Sequence, residues 1–286
     1  MNVLQSLAVS LVAGSLAFGV QPASASTYPW LSNRAPLRTI ESAIAPPPGF
    51  ARIPLGSDTF GAWLRGLPLL ADGAPVLLHT GKPKPMQWGY LAVVDLDVGT
   101  SDLQQCADSI MRLRAEYLWS VGRQRDIAFN TGKGRMTWQG KGRPAFAQYL
   151  RQVFSYAGTA TMQRELARPQ AGHRLVPGDV LVRGGSPGHA VLVLDAADDK
   201  AGRRVVLLGQ GYMPAQQFQV MNRPGQASPW YDPEDLAGAG LNTSLWFKRF
   251  VADDVRVYGE KAGGRDRVRA GQAGAARLVE QRWRLK

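Results

Sequence analysis

The sequence predicts an α+β fold, on three observations. The first is "TSDLQQCADSIMRLRAEYLWSVGR", where apolar residues at 103, 106, 110, 113 and 117 fall on one helical face and Gly122 marks the end. The second is the later series "DVLVRG", "HAVLVLDAA" and "RRVVLLGQG", three β-branched, apolar runs joined by a glycine turn and by the charged turn "DDKAGR". The third is their order. A helical segment followed by a run of strands, rather than strict alternation, indicates helices packed on an antiparallel sheet.

At 286 residues, with 45% hydrophobic and 20% charged residues, the chain can bury a sizeable core, which argues against global disorder. Its start, "MNVLQSLAVSLVAGSLAFGVQPASAST", carries an apolar run from Leu7 to Val20 and the small-x-small pattern Ala23-Ser24-Ala25. Residues 1–25 are expected to be a signal peptide cut after Ala25, although no Lys or Arg precedes the apolar run. That run is short of the ~20 residues of a membrane span and contains Gly and Ser. No cysteine near the cleavage site indicates a lipid anchor. The expected location is therefore periplasmic or secreted, with no transmembrane segment after cleavage.

Residues 26–49 read as an extended linker, ending in "IAPPPGF", where three prolines forbid helix. A single α+β domain is expected over 50–255, and within it 51–85 read as an irregular lobe of turns and short strands. "WGYLAVVDLDVG", Trp88 to Gly99, reads as a strand. In the first long helix Ser101 or Asp102 is the expected N-cap, with Gln104 or Gln105 as its capping-box partner, so Cys106 sits within the first turn. "IAFNTGKGRMTW" reads as a hairpin around Gly132 and Gly134. A second helix runs from Pro144 toward Pro169 with a break near Gly158. "SPWYDPEDLAG" reads as loop and "TSLWFKRF" as a closing strand. Residues 256–286 read as a basic tail: from 260 onward eight Lys and Arg stand against three Asp and Glu, a net +5 of the chain's +12. Such a tail suits an anionic envelope polymer, or simply a solvated terminus. Nucleic acid is not expected as a partner, because only Trp283 interleaves an aromatic ring with the basic residues.

Cys106 is the only cysteine. In an exported protein it forms no internal disulfide, so its thiol is either buried or used. A helix N-terminus favours thiolate and can donate to an oxyanion. A thiol nucleophile needs a base, and His189, opening a strand after the turn "RGGSPG", is the candidate. The base needs an orienting group, and Gln210 at the end of the next strand is placed to supply one. Each residue also has a plainer reading. Cys106 lies on an apolar helix face, where cysteine is often a small hydrophobe. A histidine opening a strand is commonly a packing residue, and Gln210 is an ordinary strand-end amide. With three histidines, no H-E-x-x-H and no cysteine pair, a metal site is poorly supplied, and no cofactor motif is present. Serine chemistry lacks its strand-to-helix elbow, because the G-x-S-x-G match at 184–188, "GGSPG", joins two expected strands. Paired acids such as Asp95 with Asp97, and Asp198 with Asp199, read as solvated.

The segments "LQQCADSIMRLRAEYL", "GDVLVRGGSPGHAVLVLD" and "LLGQGYMPAQ", with "SPWY" beyond them, resemble a bacterial exported family known only as a domain of unknown function. More distantly the chain is similar to papain-like cell-wall hydrolases, the NlpC/P60 and CHAP groups. That similarity implies a papain-like core, with the cysteine helix packed on an antiparallel sheet that bears the histidine. Cys106 matches the nucleophile, Pro177-Gly178-Asp179 the lead-in to the first strand, His189 the base and Gln210 the third position. Gln105 stands where the first group commonly has Asp, and Gln210 where His, Asn or Glu is usual. The implied activity is cleavage of amide or peptide bonds in the cell envelope, such as peptidoglycan stem peptides. Gln105 and the helix-start N–H groups would hold the oxyanion. The alternative is a non-catalytic envelope module with the same fold and a buried Cys106, and thiol reactivity separates the two.

Overall fold

A computed structural model describes residues 27–31, 35–223, 225–243 and 247–259. The expected signal peptide and the tail from 260 lie outside the described residues. In chain order the elements are α1 (Ile40–Ala43), β1 (Phe50–Arg52), α2 (Phe60–Arg65), β2 (Tyr90–Val93), α3 (Cys106–Ser120), β3 (Ala128–Thr131), β4 (Gly134–Thr137), α4 (Gly142–Tyr156), α5 (Thr159–Glu165), β5 (Val180–Arg183), β6 (His189–Asp199), β7 (Arg204–Gln210), β8 (Gln219–Met221) and β9 (Val255–Arg256). One seven-stranded sheet has the order β2-β8-β7-β6-β5-β9, with β1 pairing to the far end of β6. Its pairings are antiparallel, and β3 with β4 makes a separate hairpin. The fold is therefore α+β, with few helices and an antiparallel sheet. Among the described residues no helix is long and apolar enough to cross a membrane.

Strand β6 is the spine, because its run "HAVLVLDAA" is apolar on both faces and both faces are covered. Ala190, Leu192 and Leu194 join the core beneath α3, while Val191 and Val193 join the opposite core with Tyr231 and Phe250. The register with β7 shifts between Val193 and Asp195, and the alternation inverts there: Ala196 faces the second core and Ala197 the first. Asp195 is fully buried at this irregularity, and its carboxylate is held by Arg52 at 2.7 Å and by Arg65 of α2 at 2.7 Å.

Several expectations are corrected. The described residues of 26–49 are not a linker: Tyr28, Leu31, Ile40 and Ile44 are buried in the main core, and Trp230 donates its indole N–H to the Ala45 carbonyl at 2.9 Å. Prolines at 46–48 limit helix locally but say nothing of what the flanking apolar residues meet. Residues 51–85 are mostly turns, bends and isolated bridges as read, but that reading missed α2, which buries Phe60, Trp63 and Leu64 against the sheet. Gly61 hid this helix. It is required by packing, because a Cβ there would lie 3.0 Å from the Pro177 side chain. The strand expected over 88–99 spans only Tyr90–Val93. The second long helix begins at Gly142, so Pro144 is its third residue, while the break near Gly158 is present: α4 ends at Tyr156 and α5 starts at Thr159 with Gly158 as its N-cap. The closing strand is Val255–Arg256, not 243–250. In that stretch residues 244–246 lie outside the described residues, and Phe250 makes only an isolated bridge to Leu241. Residues 256–258 belong to the domain rather than the tail, with Val257 bridging to Ala167.

Candidate functional site

Cys106 is the first residue of α3, closer to the helix start than a cap at Ser101 or Asp102 would place it. Asp102 is diverted: its Oδ1 accepts from the Ala215 N–H at 2.6 Å and from Gln105 Nε2 at 3.0 Å. Gln105 caps the helix instead, and its N–H donates to Asp108 Oδ2 at 3.1 Å. The backbone N–H groups of Ala107, Ala190 and Cys106 itself face the sulfur and favour its thiolate. Two of these are the unpaired donors of a helix start, and the third belongs to the residue following His189.

The glycine turn before His189 has a steric reason. A Cβ on Gly188 would lie 2.2 Å from Thr159 Oγ1 and 2.5 Å from the Gly185 carbonyl oxygen, so α5 admits no side chain there. Antiparallel pairing of β6 with β7 then sets the start of one beside the end of the other. His189 Nε2 donates to Gln210 Oε1 at 2.7 Å. An amide oxygen only accepts, so this bond places the ring proton on Nε2 and leaves the lone pair on Nδ1. Tyr212, Phe247 and Phe250 pack around the imidazole with centroid separations of 5.1, 5.2 and 6.1 Å. Next to Gln210, Gly211 meets α3 directly: a Cβ there would lie 2.3 Å from Ser109 Oγ and 2.9 Å from the Gln105 carbonyl oxygen.

The electrostatics of the three groups follow from burial. The Cys106 thiol is pushed up to about 11, first by burial and then by the neighbouring Asp108 carboxyl, against the pull of the three N–H groups. His189, 2% exposed, is pushed down to about 4, because burial outweighs the bond to Gln210. Asp108 is itself pushed up to about 8 by burial, and its Oδ1 has no hydrogen-bond partner. At neutral pH the site thus holds a neutral thiol, a neutral imidazole and a largely protonated carboxyl. Among the described residues no hydrogen bond joins Cys106 to His189. Gln105 lies at the site, but its side-chain amide is committed to Asp102.

Sequence reasoning did not find Asp108, the Ala190 N–H, Gly211 or the aromatic ring around His189. Asp108 had a local signal, being the third residue of the helix, where a capping partner sits. The others arise from strands and loops far apart in the chain. The acids read as solvated are paired: Asp97 with Arg112 at 2.7 Å, and Asp198 with Arg204 at 2.7 Å. The other histidines lie elsewhere, His173 on Asp179 at 2.6 Å and His79 against the Ala215 carbonyl. Among the described residues no group of three His, Cys, Asp or Glu could hold a metal ion.

A family model described as a domain of unknown function (4846) matches residues 40–141 and 135–256. No curated protein and no solved structure matches the chain.

Proposed function

The chain belongs to the family described as domain of unknown function (4846), and from that premise we propose that it is an exported cysteine hydrolase with a papain-like core of the NlpC/P60 and CHAP kind. Its substrates would be amide or peptide bonds of cell-envelope material, such as peptidoglycan stem peptides, in the periplasm or outside the cell. One observation carries the reading. The thiol at the first residue of a helix faces the N–H of Ala190, the residue after His189, whose imidazole is oriented by Gln210 at 2.7 Å.

In the proposed reaction Cys106 Sγ attacks the carbonyl carbon while His189 Nδ1 takes the thiol proton. The helix-start N–H groups hold the developing oxyanion. His189 returns the proton to the amide nitrogen as the C–N bond breaks, and the acyl group remains as a thioester. Water then adds to the thioester, giving its proton to Nδ1. The C–S bond breaks, the acid leaves, and the thiolate recovers the proton. Gln210 keeps the base in one tautomer throughout. The thiol and imidazole must come into hydrogen-bond range when substrate binds, as catalytic pairs often do. The basic tail would hold the protein to an anionic envelope polymer through charge alone.

The test is incubation with peptidoglycan fragments, followed by mass spectrometry. Wild type should release new amine and carboxyl termini, and Cys106→Ala should release none. The second reading, a non-catalytic envelope module, is favoured by the neutral state of the half-buried thiol. It predicts no cleavage and no alkylation of native Cys106 by iodoacetamide at pH 7.5, whereas the hydrolase reading predicts alkylation that slows in His189→Ala.

A further inference from the structure

A cavity of about 300 Å³ lies against Gln210 and Tyr212, and neither Cys106 nor His189 lines it. Two buried carboxamides in its wall have unused hydrogen-bonding capacity. Gln210, 6% exposed, gives its Oε1 to His189, and its Nε2 has no protein partner among the described residues. Gln216, 4% exposed, makes no side-chain hydrogen bond among them. The unused amide atoms open onto the cavity, where a ligand's polar groups can meet them. Among the described residues Lys84 is the only charged residue of the wall. Its ammonium donates to Gln219 Oε1 at 3.2 Å and lies 4.9 Å over the Tyr90 ring, but among the described residues it faces no carboxylate. At the mouth Met86, Trp88 and Met213 are 48%, 46% and 61% exposed, large apolar side chains left uncovered together.

We propose that this cavity binds a peptide bearing a free carboxylate: Lys84 takes the carboxylate, Gln210 and Gln216 take peptide groups, and the apolar mouth takes an aliphatic side chain. An uncharged oligosaccharide would leave Lys84 without a counter-charge, which is why a peptide is chosen. The inference deepens the hydrolase reading and rests on it for the role of the bound peptide as substrate. Gln210 then holds the base through Oε1 and the substrate through Nε2, so that binding and orientation of the base share one side chain.

The experiment is calorimetric titration of the full chain carrying Cys106→Ala with acetyl-Ala-Glu-Ala, with its neutral counterpart acetyl-Ala-Gln-Ala-amide, and with chitotriose. The acidic peptide should bind, and Lys84→Met should weaken it about tenfold, the worth of one hydrogen bond to a charged group. Lys84→Arg should retain binding, and Gln216→Leu should weaken both peptides. Equal binding of both peptides, binding of chitotriose in their place, or indifference to Lys84→Met would overturn the proposal. Binding of the acidic peptide together with an inert wild-type thiol would sink the hydrolase reading while the cavity assignment stands. Cleavage of an envelope amide with no binding of the acidic peptide would do the reverse.

Discussion

His189 and Asp108 are buried groups whose shifts oppose each other in their effect on stability. His189 binds its proton in the unfolded chain near pH 6.5 but in the folded chain only near 4. Its contribution is therefore present above pH 6.5 and lost as pH falls toward 4, on the order of 3 kcal/mol. Asp108 behaves in the opposite way. The folded chain keeps its proton up to about pH 8 while the unfolded chain loses it near 3.8, so stability falls as pH rises through that window. Between pH 4 and 6.5 the two proton counts cancel, and above 6.5 the Asp108 slope stands alone. Measured against wild type by urea denaturation, Asp108→Asn should gain stability progressively from pH 4 to 8. His189→Gln should gain progressively as pH drops from 6.5 to 4. Parallel curves for variant and wild type would mean that these groups are not buried as described. Asp108→Asn should also lower the thiol's pKa, since the carboxyl is the second cause of its rise. Iodoacetamide alkylation at pH 8 should then be faster than in wild type.

At the level of elements, the site depends on how closely α3 approaches the ends of β6 and β7. Gly211→Ala would put a methyl group 2.3 Å from Ser109 Oγ, so either the helix start or the strand end must move. The expected cost is about 1–3 kcal/mol, with loss of whatever activity the site has. Gly238→Ala is the matched control, because its Cβ meets nothing within 4 Å and its φ is not in the left-handed region. It should change stability by no more than about 0.5 kcal/mol. The second joint is Asp195, which ties β6 to β1 and α2 through Arg52 and Arg65. Asp195→Ala leaves two guanidinium groups without their buried partner and should cost about 3–5 kcal/mol, read as a shift in denaturant midpoint. A shift below 1 kcal/mol would mean that the two arginines find solvent.

For the whole molecule, the N-terminal stretch from Tyr28 to Ile44 is part of the core and not a tether. A chain started at residue 50 loses Tyr28, Leu31, Ile40 and Ile44 from beneath the sheet. It should be markedly less stable than one started at residue 26, or fail to fold, as circular dichroism on heating would show. Removing 260–286 takes away a net +5 and no described core residue. The truncated chain should keep its melting temperature and elute earlier than the full chain from a cation-exchange column at low salt. Equal elution would remove the tail from any account of polymer binding.

Local pattern was enough for the α+β class, the cysteine helix, the β3–β4 hairpin and the β5–β6–β7 meander, because periodicity and turn residues act over a few positions. The His189–Gln210 bond was legible in part, since one residue opens a strand and the other ends the next strand of the same meander. Tertiary structure alone decided the rest. Ala215, 113 residues from Asp102, draws that carboxylate away from capping, so α3 begins at Cys106 rather than earlier. The sheet gives Ile40 and Trp63 something to bury against, which no run of prolines or glycines could disclose. The charge state of the thiol, the imidazole and Asp108 is set by how much water each one loses. That loss belongs to the packed molecule and is written at no single position of the chain.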